Sequence, residues 1–114
     1  MHMDDFDAKL AELFANFRRQ LPNRLSTCMA AWESYSANDD SDALSQLRFQ
    51  SHKLAGAASI YGFEEIGDSA RNIELLVDQF YAGSLDNKQT FQQQLAPHIQ
   101  LLKKLVLEVE QDTI

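Results

Sequence analysis

The sequence has few of the residues that divide a chain into many short elements. Its 114 residues include only four glycines and two prolines, too few for the numerous tight turns of an all-β fold. Its one cysteine, Cys28, cannot form an internal disulfide and favours a reducing compartment. No hydrophobic run is long enough to span a membrane, and no segment resembles a signal peptide. We therefore expect a helical, cytoplasmic protein.

Positive charge is also scarce. Ten Lys and Arg residues stand against 17 Asp and Glu residues, for a formal net charge of −7. Nucleic-acid binding depends on basic surface that displaces counterions from phosphates, and no basic run is present. An acidic surface is equally unsuited to anionic membranes. The composition argues against nucleic acids and membranes as partners.

The length suits one domain covering residues 1–114, large enough to bury about two-thirds of the surface that the unfolded chain exposes. The opening residues 1–3, Met-His-Met, look like a cloning remnant before a second start. We therefore assign no role to His2, and the domain could belong to a longer protein.

Apolar residues recur every three or four positions in four stretches, about 4–35, 41–60, 63–80 and 87–109. This spacing predicts amphipathic helices. Pro22 indicates either a bend or a short first helix before a second one, and Pro97 should bend or divide the last helix. Short connections make consecutive helices antiparallel neighbours. We predict an all-α fold, an antiparallel up-down four-helix bundle with a short additional N-terminal helix.

Several other residues are expected to have only structural roles, as helix caps or in the core. Candidate N-caps are Asp4, Asp40 or Ser41, and Asp86 or Asn87. Cys28 lies on an apolar stripe and should be buried and inert, while His98 should lie in the core or at its boundary. We expect a monomer, because we find no further apolar stripe that could form a dimer face.

His52 is the candidate for chemistry. The second helix should bury Leu44, Leu47, Ser51, Leu54 and Ala58. At 100° per residue, His52 lies about 130° from the centre of that stripe and faces solvent. Its outer neighbours are Arg48, Phe49, Ala55, Gly56 and Ser59. Gly56 costs about 1 kcal/mol relative to alanine within a helix, yet it leaves a low patch that another protein can approach.

Imidazole suits covalent catalysis near neutral pH. Its ordinary pKa of about 6.5 leaves a neutral, nucleophilic nitrogen, and a histidine nucleophile divides a transfer into two easier steps. From the residues alone, a plain surface histidine remains the alternative for His52.

The segment around His52 carries a family resemblance. The matching residues are His52–Ala58, Gly62, Phe63, Ile66, Ile73 and Glu74, together with Leu21–Leu25 (Leu-Pro-Asn-Arg-Leu) on an earlier helix. In this pattern an aliphatic residue, a glycine and small residues follow the histidine, and a second glycine stands at the tenth position after it. The sequence thus resembles the histidine-containing phosphotransfer (HPt) domains of two-component phosphorelays.

The resemblance implies a four-helix bundle whose His52 accepts a phosphoryl group from a receiver-domain aspartate and passes it to a second receiver. The expected partners are receiver domains of response regulators or of a hybrid sensor histidine kinase. It implies no intrinsic cofactor, because Mg²⁺ would come with the receiver, and no autonomous kinase activity. We expect no metal site in this chain.

The supporting residues are also assigned by resemblance. Glu74 matches a residue that often hydrogen-bonds the histidine; a carboxylate accepting from Nδ1–H would leave Nε2 as the nucleophile, although a solvated side chain is the alternative. The family often has lysine where this chain has Ala55. Lys53, about 100° round the helix, and Arg48, one turn before His52, are candidate substitutes.

Three residues of the outer strip, Phe49, Ala55 and Ser59, are candidate docking positions. A degenerate HPt-like bundle that only docks to partners, as an adaptor, is the alternative function, which the alanine at position 55 keeps open. A di-metal bundle enzyme is disfavoured because the Glu-x-x-His pairs are absent, and a kinase because no glycine-rich nucleotide loop is present.

Overall fold

The computed structural model describes residues 3–83 and 87–112, with the side chains of Met3 and Asp4 excepted. The described residues form four helices and no strand. The helices are α1 (Met3–Asn38), α2 (Ser41–Ile60), α3 (Glu64–Tyr81) and α4 (Lys88–Gln111). Each helix packs against the next along the chain, and α1 also packs against α4. The predicted all-α four-helix bundle is confirmed.

The expected short additional N-terminal helix is wrong. Helix α1 runs without interruption through Pro22. A proline inside a helix costs about 3 kcal/mol, but Phe17, Leu21 and Leu25 are all buried around it. Each such side chain contributes about 1.5–3 kcal/mol on burial, so continuous packing outweighs the lost backbone hydrogen bond. Pro97 likewise lies inside an undivided α4.

The first turns of α1 carry apolar side chains beyond the packed part of the bundle. Phe6, Leu10 and Leu13 are between 39% and 69% exposed. The packed part begins at Phe14, whose ring lies edge-to-face on Tyr61, and at the buried Phe17. Arg18 Nη2 then donates to the Val109 carbonyl oxygen of α4 at 3.2 Å. Our reason for expecting a monomer, that no further apolar stripe exists, is therefore wrong.

Side-chain caps fix the starts of two helices. Asp40 accepts hydrogen bonds from the backbone N–H groups of Asp42 and Ala43 at 3.0 and 3.2 Å, and Asn87 caps α4 in the same way. Each cap contributes about 1 kcal/mol. These two expected caps are confirmed, whereas the side chain of Asp4 and the whole of Asp86, which were also considered as caps, lie outside the described part of the structure.

The core includes all five residues of the stripe predicted on α2 and continues along one face of α4. The buried residues of α4 are Phe91, Leu95, Ile99, Leu102 and Val106. His98 is half-buried at the core boundary, as expected, and Leu105 and Val109 are partly buried against the core. Across the described residues, no helix combines the length and hydrophobicity needed to cross a membrane.

Candidate functional site

His52 points out of the bundle because its neighbours on α2 point in. Ser51 and Leu54 are 0% and 1% exposed, and the helical repeat turns the intervening residue toward solvent. The His52 side chain is 66% exposed. The outward orientation that the periodicity predicts is therefore observed.

Glu74 of α3 contacts the His52 ring directly. His52 Nδ1 lies 2.8 Å from Glu74 Oε2, and the Glu74 side chain is only 14% exposed. An ionised carboxylate only accepts hydrogen bonds, so Nδ1 must carry the proton. In the neutral form of the ring, the other nitrogen, Nε2, then carries a free lone pair and lies on an exposed side chain, where it can act as a nucleophile. Glu74 is not the freely solvated side chain that was the alternative.

Arg48 joins the same cluster from one turn before His52. Its Nη2 lies 3.6 Å from Glu74 Oε2. Its Nε and Nη2 also donate to the two carboxylate oxygens of Asp78, the latter over 3.4 Å. The hydrogen bond with Asp78, followed by the Coulomb attraction of the same carboxylate, raises the pKa of Arg48. The guanidinium group of Arg48 thus contacts two carboxylates, those of Asp78 and Glu74, through its Nε and Nη2 atoms.

Asp78 was missed by sequence reasoning. A usable signal was present, because Arg48 and His52 are four residues apart on α2 while Glu74 and Asp78 are four apart on α3. Residues four apart share one face of a helix. What the sequence could not show is that the two faces meet.

Lys53 and Phe49 form a separate pair on the exposed side of α2. Lys53 Nζ lies 5.1 Å from the centre of the Phe49 ring, a cation–π contact. Phe49 is 52% exposed. Both side chains are available to a partner, but they contact each other and have no hydrogen bond or ion pair to His52 in the described structure.

The small residues after His52 divide between surface and core. Gly56 and Ser59 are exposed, and a Cβ added at Gly56 would meet nothing within 4 Å. Ala55 is only 3% exposed, so its expected place in the docking surface is wrong. The physical reason is that α2 is covered on two sides, by α1 and by α3, which makes its buried face wider than one stripe.

Gly67 explains how closely α3 approaches α2. A Cβ built there would lie 3.4 Å from the Ala55 carbonyl oxygen and 3.6 Å from the Ala58 Cβ. Gly67 is buried within α3, so the two helices are almost in backbone contact. Sequence reasoning missed this residue, although a glycine one position after the buried Ile66 was a visible signal. The close approach brings Glu74 within reach of His52.

The other reactive side chains are less suited to chemistry. Cys28 is 1% exposed, and burial raises the pKa of its thiol to about 11, so the expectation of a buried residue is confirmed. His98 is half-buried on α4. Within residues 3–83 and 87–112, no group of three or more His, Cys, Asp or Glu side chains is placed to hold a metal ion.

Comparison with protein families gives a match over most of the chain. Residues 12–112 match the family model described as the Hpt domain. That range contains every residue of the cluster around His52 as well as α2, α3 and α4 in full. Comparison with curated proteins and with solved structures gives no match.

Proposed function

The chain belongs to the Hpt domain family, and we propose that its His52 relays a phosphoryl group between the aspartates of two receiver domains. Family membership supports a phosphotransfer role in two-component phosphorelays. One observation carries the assignment to His52: its ring is 66% exposed, while Glu74 engages Nδ1 and leaves Nε2 free. A nucleophile of this kind can be reached by a group mounted on another protein.

Each transfer exchanges one bond to phosphorus for another. The Nε2 lone pair attacks the phosphorus of the aspartyl phosphate, and an N–P bond forms as the P–O bond to the aspartate breaks. The bonding electrons leave with the aspartate carboxylate. The Nδ1 proton stays in its hydrogen bond to Glu74, whose charge offsets the positive charge that develops on the ring. Transfer to the second receiver is the reverse reaction.

Charge on the phosphoryl oxygens must be neutralised in both steps. We expect the receiver partner to contribute Mg²⁺ for this purpose, and we propose that this chain is a phosphocarrier with no kinase activity of its own. Its partners would be receiver domains of response regulators or of a hybrid sensor kinase, in the cytoplasm. The exposed surface of Phe49, Lys53, Gly56 and Ser59 beside His52 is the proposed docking face.

A module that only docks is the second candidate, and two observations favour it. The position where the family often has lysine is the buried Ala55. Arg48, the candidate substitute, is held by Asp78. With Arg48 held by Asp78 and Lys53 placed against the Phe49 ring, the chain would depend on the partner to stabilise the phosphoryl group.

Transfer from a radiolabelled, phosphorylated receiver domain in the presence of Mg²⁺ distinguishes the two functions. The phosphocarrier should acquire label that is labile in acid and stable in base. His52→Gln should abolish it, whereas the control His98→Gln, at a half-buried histidine on another helix, should retain it. Label that persists in His52→Gln would reject the assignment. Receiver binding without label, unaffected by His52→Gln, would establish the docking module instead.

A further inference from the structure

Four charged or titratable side chains interlock across the α2–α3 contact. Arg48 and His52 stand one turn apart on α2, and Glu74 and Asp78 one turn apart on α3. Glu74 Oε2 lies between the His52 ring at 2.8 Å and Arg48 Nη2 at 3.6 Å. Arg48 in turn bonds Asp78 through two of its nitrogens. The contacts therefore form a chain from Asp78 through Arg48 and Glu74 to the imidazole.

The forked contact with Asp78 determines where the guanidinium group points. Two parallel N–H donors on one carboxylate fix the plane of an arginine, which a single point charge does not do. In that plane Nη2 faces Glu74 as well as Asp78. The contacts with Asp78 and Glu74 use Nε and Nη2, so contact with a phosphoryl group on His52 through either of these nitrogens would require Arg48 to leave one or both carboxylates. The geometry therefore favours a role for Arg48 toward Glu74 over a role toward phosphate.

We propose that Arg48 and Asp78 are positioning residues for the phosphotransfer histidine. Asp78 holds Arg48, and Arg48 holds the Glu74 carboxylate in place against Nδ1–H of His52. This inference rests on the proposed function of His52 and adds a second pair of residues to it. Removal of Arg48 frees Glu74 to turn to solvent, because nothing then balances the repulsion between two carboxylates one turn apart. Removal of the Asp78 carboxylate instead releases the guanidinium group from the plane in which its Nη2 faces Glu74. The ring then carries its proton on Nε2 part of the time, and in that form Nε2 is not a nucleophile.

The tautomer of His52 is the direct readout, and it needs no partner protein. Nitrogen-15 NMR of the neutral imidazole distinguishes a protonated Nδ1 from a protonated Nε2. We expect Arg48→Gln and Asp78→Asn each to lower the ratio of Nδ1–H to Nε2–H by about two- to fivefold, the size associated with partly exposed ion pairs. The double variant should show no larger change than either single variant, because the two residues act as one unit.

Arg71→Gln is the matched control. Arg71 is exposed on α3, three residues before Glu74, and has no ion pair with another described residue. The Arg71→Gln substitution removes the same charge as Arg48→Gln, at a position on α3 close to Glu74, and leaves the contacts among Asp78, Arg48, Glu74 and His52 unchanged. Its His52 tautomer ratio should equal that of the unmodified protein, and all variants should retain the helical circular dichroism spectrum.

Transfer kinetics test the competing role toward phosphate. Under the positioning role, Arg48→Gln and Asp78→Asn both slow phosphoryl transfer from a receiver domain. A phosphate-binding Arg48 predicts opposite signs, since Asp78→Asn would release the guanidinium group and raise the phosphohistidine yield. Opposite signs, or tautomer ratios unchanged in both variants, would overturn the inference. If the tautomer shifts as expected but neither the unmodified protein nor any variant is phosphorylated, the positioning role stands and the proposed function fails.

Discussion

Gly56 offers a test that separates the stability of the fold from the accessibility of His52. It lies one turn after His52, inside α2, and is exposed. Its φ is not positive, and a Cβ there would meet nothing within 4 Å. Alanine should therefore gain the full difference in helix propensity, about 0.8–1.0 kcal/mol. In a domain of this size that corresponds to a rise in Tm of about 4 °C.

Leucine at the same position should stabilise the fold almost as much, because its helix propensity is close to that of alanine. It would also place a branched side chain beside His52, on the proposed docking face. We expect Gly56→Leu to raise Tm and to slow phosphoryl transfer from a receiver by about tenfold or more. A tenfold effect corresponds to about 1.4 kcal/mol of binding free energy lost because the two surfaces fit less closely. Rapid-quench measurement of receiver-to-protein transfer gives the rate, and differential scanning calorimetry gives Tm.

Two controls make the result decisive. Phosphoramidate, a small phosphodonor that needs no docking surface, should phosphorylate Gly56→Leu and the unmodified protein at similar rates. Gly62→Ala should have the opposite effect on Tm, because Gly62 has φ +80 and an L-residue there costs about 1–2 kcal/mol. A Gly56→Leu protein that accepts phosphate from the receiver at the unmodified rate would refute the docking face.

Three further predictions concern the scaffold. Because burial raises the pKa of Cys28 from 9.0 to about 11, the stability tied to its thiol is complete below pH 9. It is lost as the pH rises through 11, by about 3 kcal/mol in total. The free energy of unfolding measured in urea should show this loss, and the loss should be smaller in Cys28→Val. Leu21→Ala should cost about 2–5 kcal/mol because Leu21 is 1% exposed. Leu13→Ala, at a 49% exposed site, should change the free energy of unfolding by about 0.5 kcal/mol or less in the same titrations. Gly67→Leu should push α3 away from the Ala55 backbone and so remove the NMR signature of the hydrogen bond between His52 Nδ1 and Glu74. His52→Gln, by contrast, should leave the helical packing intact.

The sequence by itself determined the helices, most of their buried faces and the outward direction of His52. Each of these follows from the 3.6-residue repeat, which relates side chains on one helix to one another without reference to any neighbour. Asp40 and Asn87 were found in the same way, because a cap bonds backbone groups two or three residues further along its own chain.

Only the tertiary structure decided which faces meet and how closely. The continuity of α1 through Pro22 depends on the packing that covers both of its sides, and the burial of Ala55 depends on α3 approaching at Gly67. Glu74 was anticipated through resemblance to a family, whereas Asp78 was not anticipated at all. Its contact with Arg48 joins residues 30 positions apart, and no local periodicity describes the relative position of two helices.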